Sequence, residues 1–182
     1  MMVDAEKARQ ILRDAEIVCS ADQVRDAVVR LAREISDRLA DSVPLVLSVM
    51  GGGVVFSGQL LPLLNFPLEF DYIHVTRYRG STRGGEIRWR VEPHARVQAR
   101  TVLILDDILD EGHTAAAIKK WLYEQGAEQV LVAVLADKAI AKEKPLNADF
   151  VGVSVPDRYV FGFGMDINDA WRNLPAIYAV KG

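Results

Sequence analysis

Two apolar runs, each ending abruptly and each followed by a helical pattern, organise the chain. Thr101–Leu105 is an unbroken β-branched and leucine stretch, the composition of a parallel strand buried on both faces. Asp106 and Asp107 follow it directly, and Ala115–Gln125 then places Ala115, Ile118 and Leu122 at helical spacing, with Trp121 beside them. Leu45–Met50 repeats the design: an apolar strand, three glycines at Gly51–Gly53, and an apolar helix over Val54–Leu64. Gln129–Ala136 and Ala148–Val153 read as two further buried strands. Phe70–Arg77 and Glu86–Val91 alternate and predict a hairpin around the polar loop Tyr78–Gly85. Val24, Ala27, Val28, Leu31, Ile35 and Leu39 mark one amphipathic helix over Gln23–Ala40, with Ser20 as N-cap and Gln23 as its capping-box partner. Ala5–Val18 carries a mixed helical pattern, and Cys19 falls in the same helix-like segment. Ile177–Val180 can add a last apolar strand.

Strands alternating with helices predict a doubly wound α/β core three layers thick. With 182 residues and 50% hydrophobic composition, one domain is the natural expectation. A chain of this size buries roughly 70% of its unfolded surface. The formal net charge of -3 argues against a nucleic-acid surface, although Arg77, Arg79, Arg83, Arg88 and Arg90 make a local basic patch. Cys19 is the only cysteine, so an intrachain disulfide is excluded, and it reads as a packing residue. Met1–Arg9 lacks a following apolar segment of signal-peptide length, and no apolar run approaches a membrane span. The expectation is a cytoplasmic protein with neither nucleic acid nor membrane as partner. The histidines His74, His94 and His113 have no spacing that specifies zinc.

The chemistry concentrates where the Thr101–Leu105 strand ends. In an open α/β sheet, ligands sit outside the carboxyl ends of the strands. A turn of small residues entering a helix at Thr114 directs unpartnered N–H groups outward, where they can bind an anion. Carboxylates beside it repel phosphate, but they accept hydrogen bonds from sugar hydroxyls, bind magnesium or take a proton. Together these groups suit a phosphorylated sugar; a strand, an acidic surface loop and an ordinary capped helix would give the same string. The Gly51–Gly53 run permits close backbone approach to a ligand, and also suits a tight strand-to-helix joint. It is not the dinucleotide fingerprint G-x-G-x-x-G. Lys138, at the end of the Gln129–Ala136 strand, is either a surface charge or a group facing the same edge. Tyr159, Phe161 and Phe163 alternate as strand or core aromatics.

Leu103–Thr114 closely resembles the phosphoribosyl-diphosphate signature of the type I phosphoribosyltransferases, matching at Asp106, Asp107, Ile108, Leu109, Asp110, Gly112 and Thr114. From about residue 10 onward the chain is similar to the bacterial hypoxanthine-guanine branch. The resemblance implies a five-stranded, mainly parallel sheet, a small hood from the N- and C-terminal segments, and a flexible lid hairpin with Arg77 and Tyr78 at its base. It implies purine salvage: transfer of the phosphoribosyl group from 5-phosphoribosyl 1-diphosphate to hypoxanthine or guanine, giving IMP or GMP and pyrophosphate. Asp110 would be the catalytic proton acceptor, near purine N7. Asp106 and Asp107 would hold the ribose hydroxyls, directly or through metal, and Glu111, Gly112, His113 and Thr114 the 5′-phosphate. Met50, Gly51, Gly52 and Arg172 would contact pyrophosphate. Lys138 would donate to the 6-oxo group, Tyr159 would stack on the purine, and the Val160 carbonyl would meet the 2-substituent. Magnesium would be bound with help from Asp106, Asp107 and Asp166. Many relatives carry lysine or asparagine in the glycine loop, which this chain lacks. A homodimer or homotetramer is expected. Two other readings stay open: a xanthine-preferring phosphoribosyltransferase, and a non-enzymatic, nucleotide-sensing regulator on the same fold.

Overall fold

The computed structural model describes residues 4–77 and 87–181. In chain order the elements are α1 (Ala5–Asp14), β1 (Glu16–Cys19), α2 (Ala21–Leu39), β2 (Leu45–Met50), α3 (Gly53–Leu60), β3 (Glu69–Arg77), β4 (Ile87–Val91), β5 (Thr101–Leu109), α4 (His113–Glu124), β6 (Gln129–Ala139), β7 (Phe150–Pro156), β8 (Val160–Phe161) and β9 (Ile177–Ala179). The main sheet has the order β4-β3-β2-β5-β6-β7. Its five strands from β3 to β7 are parallel, and β4 adds an antiparallel edge strand through the hairpin with β3.

The continuous apolar runs follow from burial on both faces. Leu103 and Leu105 of β5 point into the same cluster as Val28, Leu31 and Ile35 of α2 and Phe56 and Leu60 of α3. Val102 and Ile104, one residue out of phase, point to the other face, against Ile118 and Leu122 of α4. Each of these four β5 side chains is fully buried. Such a strand has no solvated face on which to carry polar groups, so its chemistry must sit at its ends. Trp89 of β4 extends the second layer, with its ring centroid 4.5 Å from that of Trp121 on α4.

The N-terminal expectation needs correction. The helix stops at Asp14, and Glu16–Cys19 forms a strand antiparallel to β9, which in turn pairs with β8. Cys19 therefore sits in β1, buried, and burial pushes its thiol pKa up. A four-residue strand offers too little periodicity to separate it from a helical pattern, and its partner lies at the far end of the chain. The Ser20–Gln23 capping box forms as expected. The apolar stretch after the glycines divides into α3 and a short 3₁₀ turn at Leu61–Leu63, where Pro62 cannot donate to a continuing helix. No helix among the described residues is long and apolar enough to cross a membrane.

Two close contacts tie separate segments to the sheet, one at its carboxyl edge and one near the start of β3. Gly164, beyond β8, lies so near the β2–α3 turn that a Cβ would sit 2.2 Å from the Gly52 carbonyl oxygen, and its φ is +102°. Asp71 of β3 accepts from the backbone N–H groups of Tyr72 (2.8 Å), His94 (2.6 Å) and Ala95 (2.9 Å), fixing the loop between β4 and β5. Partial burial pushes the Asp71 carboxyl pKa up, but these N–H donors outweigh it and the net direction is down.

Gly164→Ala is expected to destabilise the protein by about 1–3 kcal/mol in chemical denaturation, because both the approach and the dihedral oppose a side chain. Wild-type stability in that variant would mean that the Gly52–Gly164 approach is not constraining. Asp71→Ala is expected to cost about 1 kcal/mol at neutral pH through the loss of backbone tethers. A lowered folded-state pKa contributes stability that is present above the unfolded value of about 3.9 and lost as pH falls through the folded value. The gap between wild type and Asp71→Ala should therefore narrow below about pH 4; a gap that widens in acid contradicts the assignment.

Candidate active site

The ends of β5 and β6 assemble the site. β5 runs on to Leu109, four residues past the expected boundary, so Asp106 and Asp107 lie within the strand and only Asp110 begins the loop. β6 likewise continues to Ala139 and carries Asp137 and Lys138 within its last turn of pairing, with Leu109 opposite Asp137. The extensions have a simple cause: past Leu105 the β5 strand is still paired with β6, and Lys138 and Ala139 are still paired with β7, and these ladder bonds outweigh the low strand preference of aspartate.

Asp107 is buried and Asp106 is half-buried. Burial raises the Asp106 carboxyl pKa well above the usual carboxylate range, and the neighbouring Asp107 charge raises it further. Burial also raises Asp107, opposed by hydrogen bonding from the Asp106 side, by the Arg172 charge and by backbone N–H groups. Asp107 is packed against the β2–α3 turn: a Cβ on Gly52 would sit 1.8 Å from its Oδ2. The Met50–Gly51 peptide bond at this turn is cis.

The turn expected to take the phosphate follows β5. Gly112 precedes α4 in the left-handed region, at φ 79° and ψ -6°, where a side chain is strained. His113 opens the helix, so it belongs to the first turn and not to the preceding loop. Glu111 and His113 are exposed, Thr114 is half-buried, and α4 starts three residues after Asp110, just past the end of β5.

Asp107, Asp110, Lys138, Tyr159, Val160 and Asp166 line one pocket of about 220 Å³, whose apolar wall is Ile108 and Met165. Within it Lys138 Nζ lies 3.0 Å from Asp110 Oδ1, with the lysine side chain 12% exposed and the aspartate 54% exposed. A cationic donor thus stands beside an anionic acceptor at one mouth. Tyr159 is 56% exposed and lies just before β8, whereas Phe161 and Phe163 are buried. The three aromatics therefore do not share one strand face as their alternation suggested: Tyr159 opens to the pocket while Phe161 and Phe163 lie in the core, because β8 is only two residues long. The Tyr159 hydroxyl donates to the Asp166 carbonyl at 3.2 Å.

Arg172 is placed by a tight loop. Its Nη1 donates to the Gly164 carbonyl at 2.6 Å and its Nη2 pairs with Asp166 Oδ1 at 2.5 Å. Asp166 Oδ2 also accepts from Asp169 N–H at 2.9 Å. Asn168, Asp169 and Trp171 adopt positive φ of 53°, 63° and 71° without being glycine. Such residues cost of order 1 kcal/mol each and persist where neighbours over-determine them; here the Trp171 indole is held by the Ala8 carbonyl of α1 at 2.9 Å. Asp166 and Arg172 are thus brought to the same edge as Asp107. Arg77 ends β3 at that edge, and Tyr78, the other residue assigned to the lid, lies outside the described residues.

One residue at this edge escaped the sequence. Lys144, in the connection after β6, is bonded to the ends of both β5 and β6. The only hint was a lysine before Pro145 in a short loop, and nothing in the string pairs it with Asp137. Among the described residues no three His, Cys, Asp or Glu side chains converge on a common point, so the chain builds no closed metal cage there.

This arrangement has known counterparts. The phosphoribosyl transferase domain model matches residues 20–170. The hypoxanthine-guanine phosphoribosyltransferase of Bacillus subtilis is 30% identical over 167 residues, covering 91% of this chain and 93% of its own. The hypoxanthine-guanine-xanthine phosphoribosyltransferase of Tritrichomonas foetus is 31% identical over 166 residues, covering 91% of each chain. The crystal structure of a hypoxanthine phosphoribosyltransferase from Staphylococcus aureus superimposes with a TM-score of 0.88 at 24% identity, over 94% of this chain and 95% of that one, and shows the fold. With a strand–acid–turn–helix unit at the sheet edge and a family match over most of its length, the chain belongs to the phosphoribosyltransferase family.

Proposed function

We propose that this chain is a purine-salvage enzyme that joins hypoxanthine or guanine to 5-phosphoribosyl 1-diphosphate, forming IMP or GMP and releasing pyrophosphate. The observation that carries the reading is the Lys138–Asp110 pair at the pocket mouth. A 6-oxopurine presents a carbonyl acceptor at position 6 and an N–H at N7 on one edge, the complement of a lysine beside a carboxylate. Adenine presents an amino group at position 6, which would leave the ammonium facing a donor. A site built to hydrogen-bond one edge rejects the mismatched one because its own polar group stays unpaired.

Around that edge the other groups take roles by position. Tyr159 offers an exposed ring to the base, and the Val160 carbonyl faces its 2-substituent. Asp106 and Asp107 accept from the ribose hydroxyls. The N–H groups and side chains of Glu111, Gly112, His113 and Thr114 receive the 5′-phosphate at the start of α4. Met50, Gly51 and Gly52 approach the pyrophosphate through backbone, which suits a loop with no lysine or asparagine, and Arg172 adds charge. As N9 bonds to the anomeric carbon and the bond to pyrophosphate breaks, Asp110 accepts the proton at N7, balancing the charge gained by the base. Arg77 and Tyr78 anchor a lid that would exclude water from the activated sugar.

The donor set fits magnesium. Carboxylates are hard oxygen ligands, and magnesium is held by one or two of them with substrate phosphates and water completing its shell. Asp106 and Asp107 at the ribose end and Asp166 at the pyrophosphate end would help hold it through substrate oxygens and water and not as one three-carboxylate cage, and when bound it would neutralise the leaving pyrophosphate. The three-stranded sheet β1-β9-β8 serves as a hood within a single domain spanning residues 1–182. A homodimer or homotetramer would cover Phe70 and Tyr72, which are exposed on one face of β3. A cytoplasmic setting follows from the substrates. Xanthine is the second reading for the base, favoured by the Tritrichomonas relative, whose name includes it.

Pyrophosphate release measured with magnesium, 5-phosphoribosyl 1-diphosphate and each base in turn tests the reading. Hypoxanthine and guanine should be turned over and adenine rejected. Asp110→Asn is expected to lower kcat by about 10²–10³-fold with the sugar donor still bound. Lys138→Met should weaken hypoxanthine use by about 10–100-fold and narrow the margin against adenine. A dominant XMP product would reassign the base, and tight donor binding with every base inactive would favour the regulator.

A further inference from the structure

Lys144 is an unusual lysine. Its side chain is only 10% exposed, yet it belongs to an irregular connection. All three ammonium hydrogens have acceptors: the Leu109 carbonyl at 2.8 Å, Asp137 Oδ1 at 2.5 Å and the Lys138 carbonyl at 2.7 Å. Leu109 and Asp137 are the last paired rung between β5 and β6. One of the carbonyls belongs to Lys138 itself, and the other to the residue before Asp110. The same segment also covers the phosphate turn, since a Cβ on Gly112 would lie 3.4 Å from Pro145 Cδ and 3.5 Å from Lys144 Cβ.

We infer that Lys144 is a positioning residue for purine recognition, its ammonium locking the backbone at Leu109 and Lys138 so that Asp110 and Lys138 meet the base at fixed spacing. The inference rests on the proposed phosphoribosyl transfer and deepens it. Beyond the Leu109–Asp137 rung β5 and β6 share no ladder pairing, while Lys138 goes on pairing with Val155 of β7 and its carbonyl also accepts from the Ile140 N–H at 2.9 Å. One ammonium that donates to the Leu109 and Lys138 carbonyls ties the two strand ends together where the ladder between them stops. Charge-assisted bonds of this kind are among the stronger ones available, and removing the donor takes the ammonium from Asp137 and from the Leu109 carbonyl and leaves the Lys138 carbonyl with the Ile140 N–H alone. The two functions of the segment are separable by atom. The ammonium reaches only the purine-side groups, while the contact on Gly112 comes from the Lys144 Cβ and the Pro145 ring.

Lys144→Met keeps the Cβ and the chain length but removes the ammonium. In steady-state assays kcat/KM for hypoxanthine is expected to fall by about 10–100-fold while KM for 5-phosphoribosyl 1-diphosphate changes by less than about twofold. Lys144→Cys should show the same split, and alkylation with 2-bromoethylamine, which rebuilds an ammonium at lysine length, should restore most of the lost hypoxanthine activity. The alkylation comparison also decides the matter if Lys144→Met does not fold. A merely structural lysine would raise both substrate constants together or leave both unchanged, and either result overturns the inference, as does alkylation without recovery. A wild-type protein inactive with every purine would instead remove the proposed function, and this role with it.

Discussion

Burial of the parallel sheet on both faces is the constraint from which the remaining structure follows. With α2 and α3 on one side and α4 on the other, the middle strands have no solvated surface, and their side chains are apolar in both phases apart from Ser48 of β2, which accepts from the Ser57 hydroxyl of α3. Polar chemistry is therefore confined to where the strands stop. Asp106, Asp107 and Asp110 at the end of β5, Lys138 at the end of β6 and Gly51 and Gly52 after β2 meet because three adjacent strands end at one edge. The order β2-β5-β6 sets neighbours that the chain separates by dozens of residues.

The edge is a crowded electrostatic environment. Two adjacent carboxylates sit beside a backbone turn with no side chain of its own; burial resists the ionisation of both, and the Asp107 charge further resists that of Asp106. Arg172 is the nearby cation that favours the charged form of Asp107. It is itself bound to Asp166 and to the Gly164 carbonyl, within a loop of three positive-φ residues that have side chains. The strain in that loop is offset by contacts that come from distant parts of the chain, including the Ala8 carbonyl of α1. The small sheet β1-β9-β8 and the strained loop therefore act as one support for the pocket wall that faces Lys138.

A lysine beside an aspartate can be read as a simple surface ion pair, worth little in water. Here the lysine is largely buried, the pair opens into a pocket with an exposed tyrosine, and a second lysine braces the backbone behind it. On the proposed function, that combination makes recognition of a base edge a better account than stability. On the same proposal a glycine loop without a cationic side chain would draw its positive charge from Arg172, and Asp107 and Gly164 pack closely on Gly52.

The strings around Asp106–Thr114, Leu45–Gly53 and Gln23–Ala40 carried their own structure because each rests on local physics: uninterrupted apolar runs, helical periodicity and a capping box formed within four residues. The parallel α/β class and the acidic end of β5 were legible from these alone. Strand lengths were not, since Asp106 and Asp107 are drawn into the ladder by β6 and Lys138 by β7, partners that the local string does not reveal. β1 was mistaken for helix because what makes it a strand is β9, at the opposite end of the chain. Lys144 was invisible for the same reason. Its meaning lies in two carbonyls and a carboxylate contributed by two other segments, and only the tertiary fold brings those oxygens within reach of one ammonium.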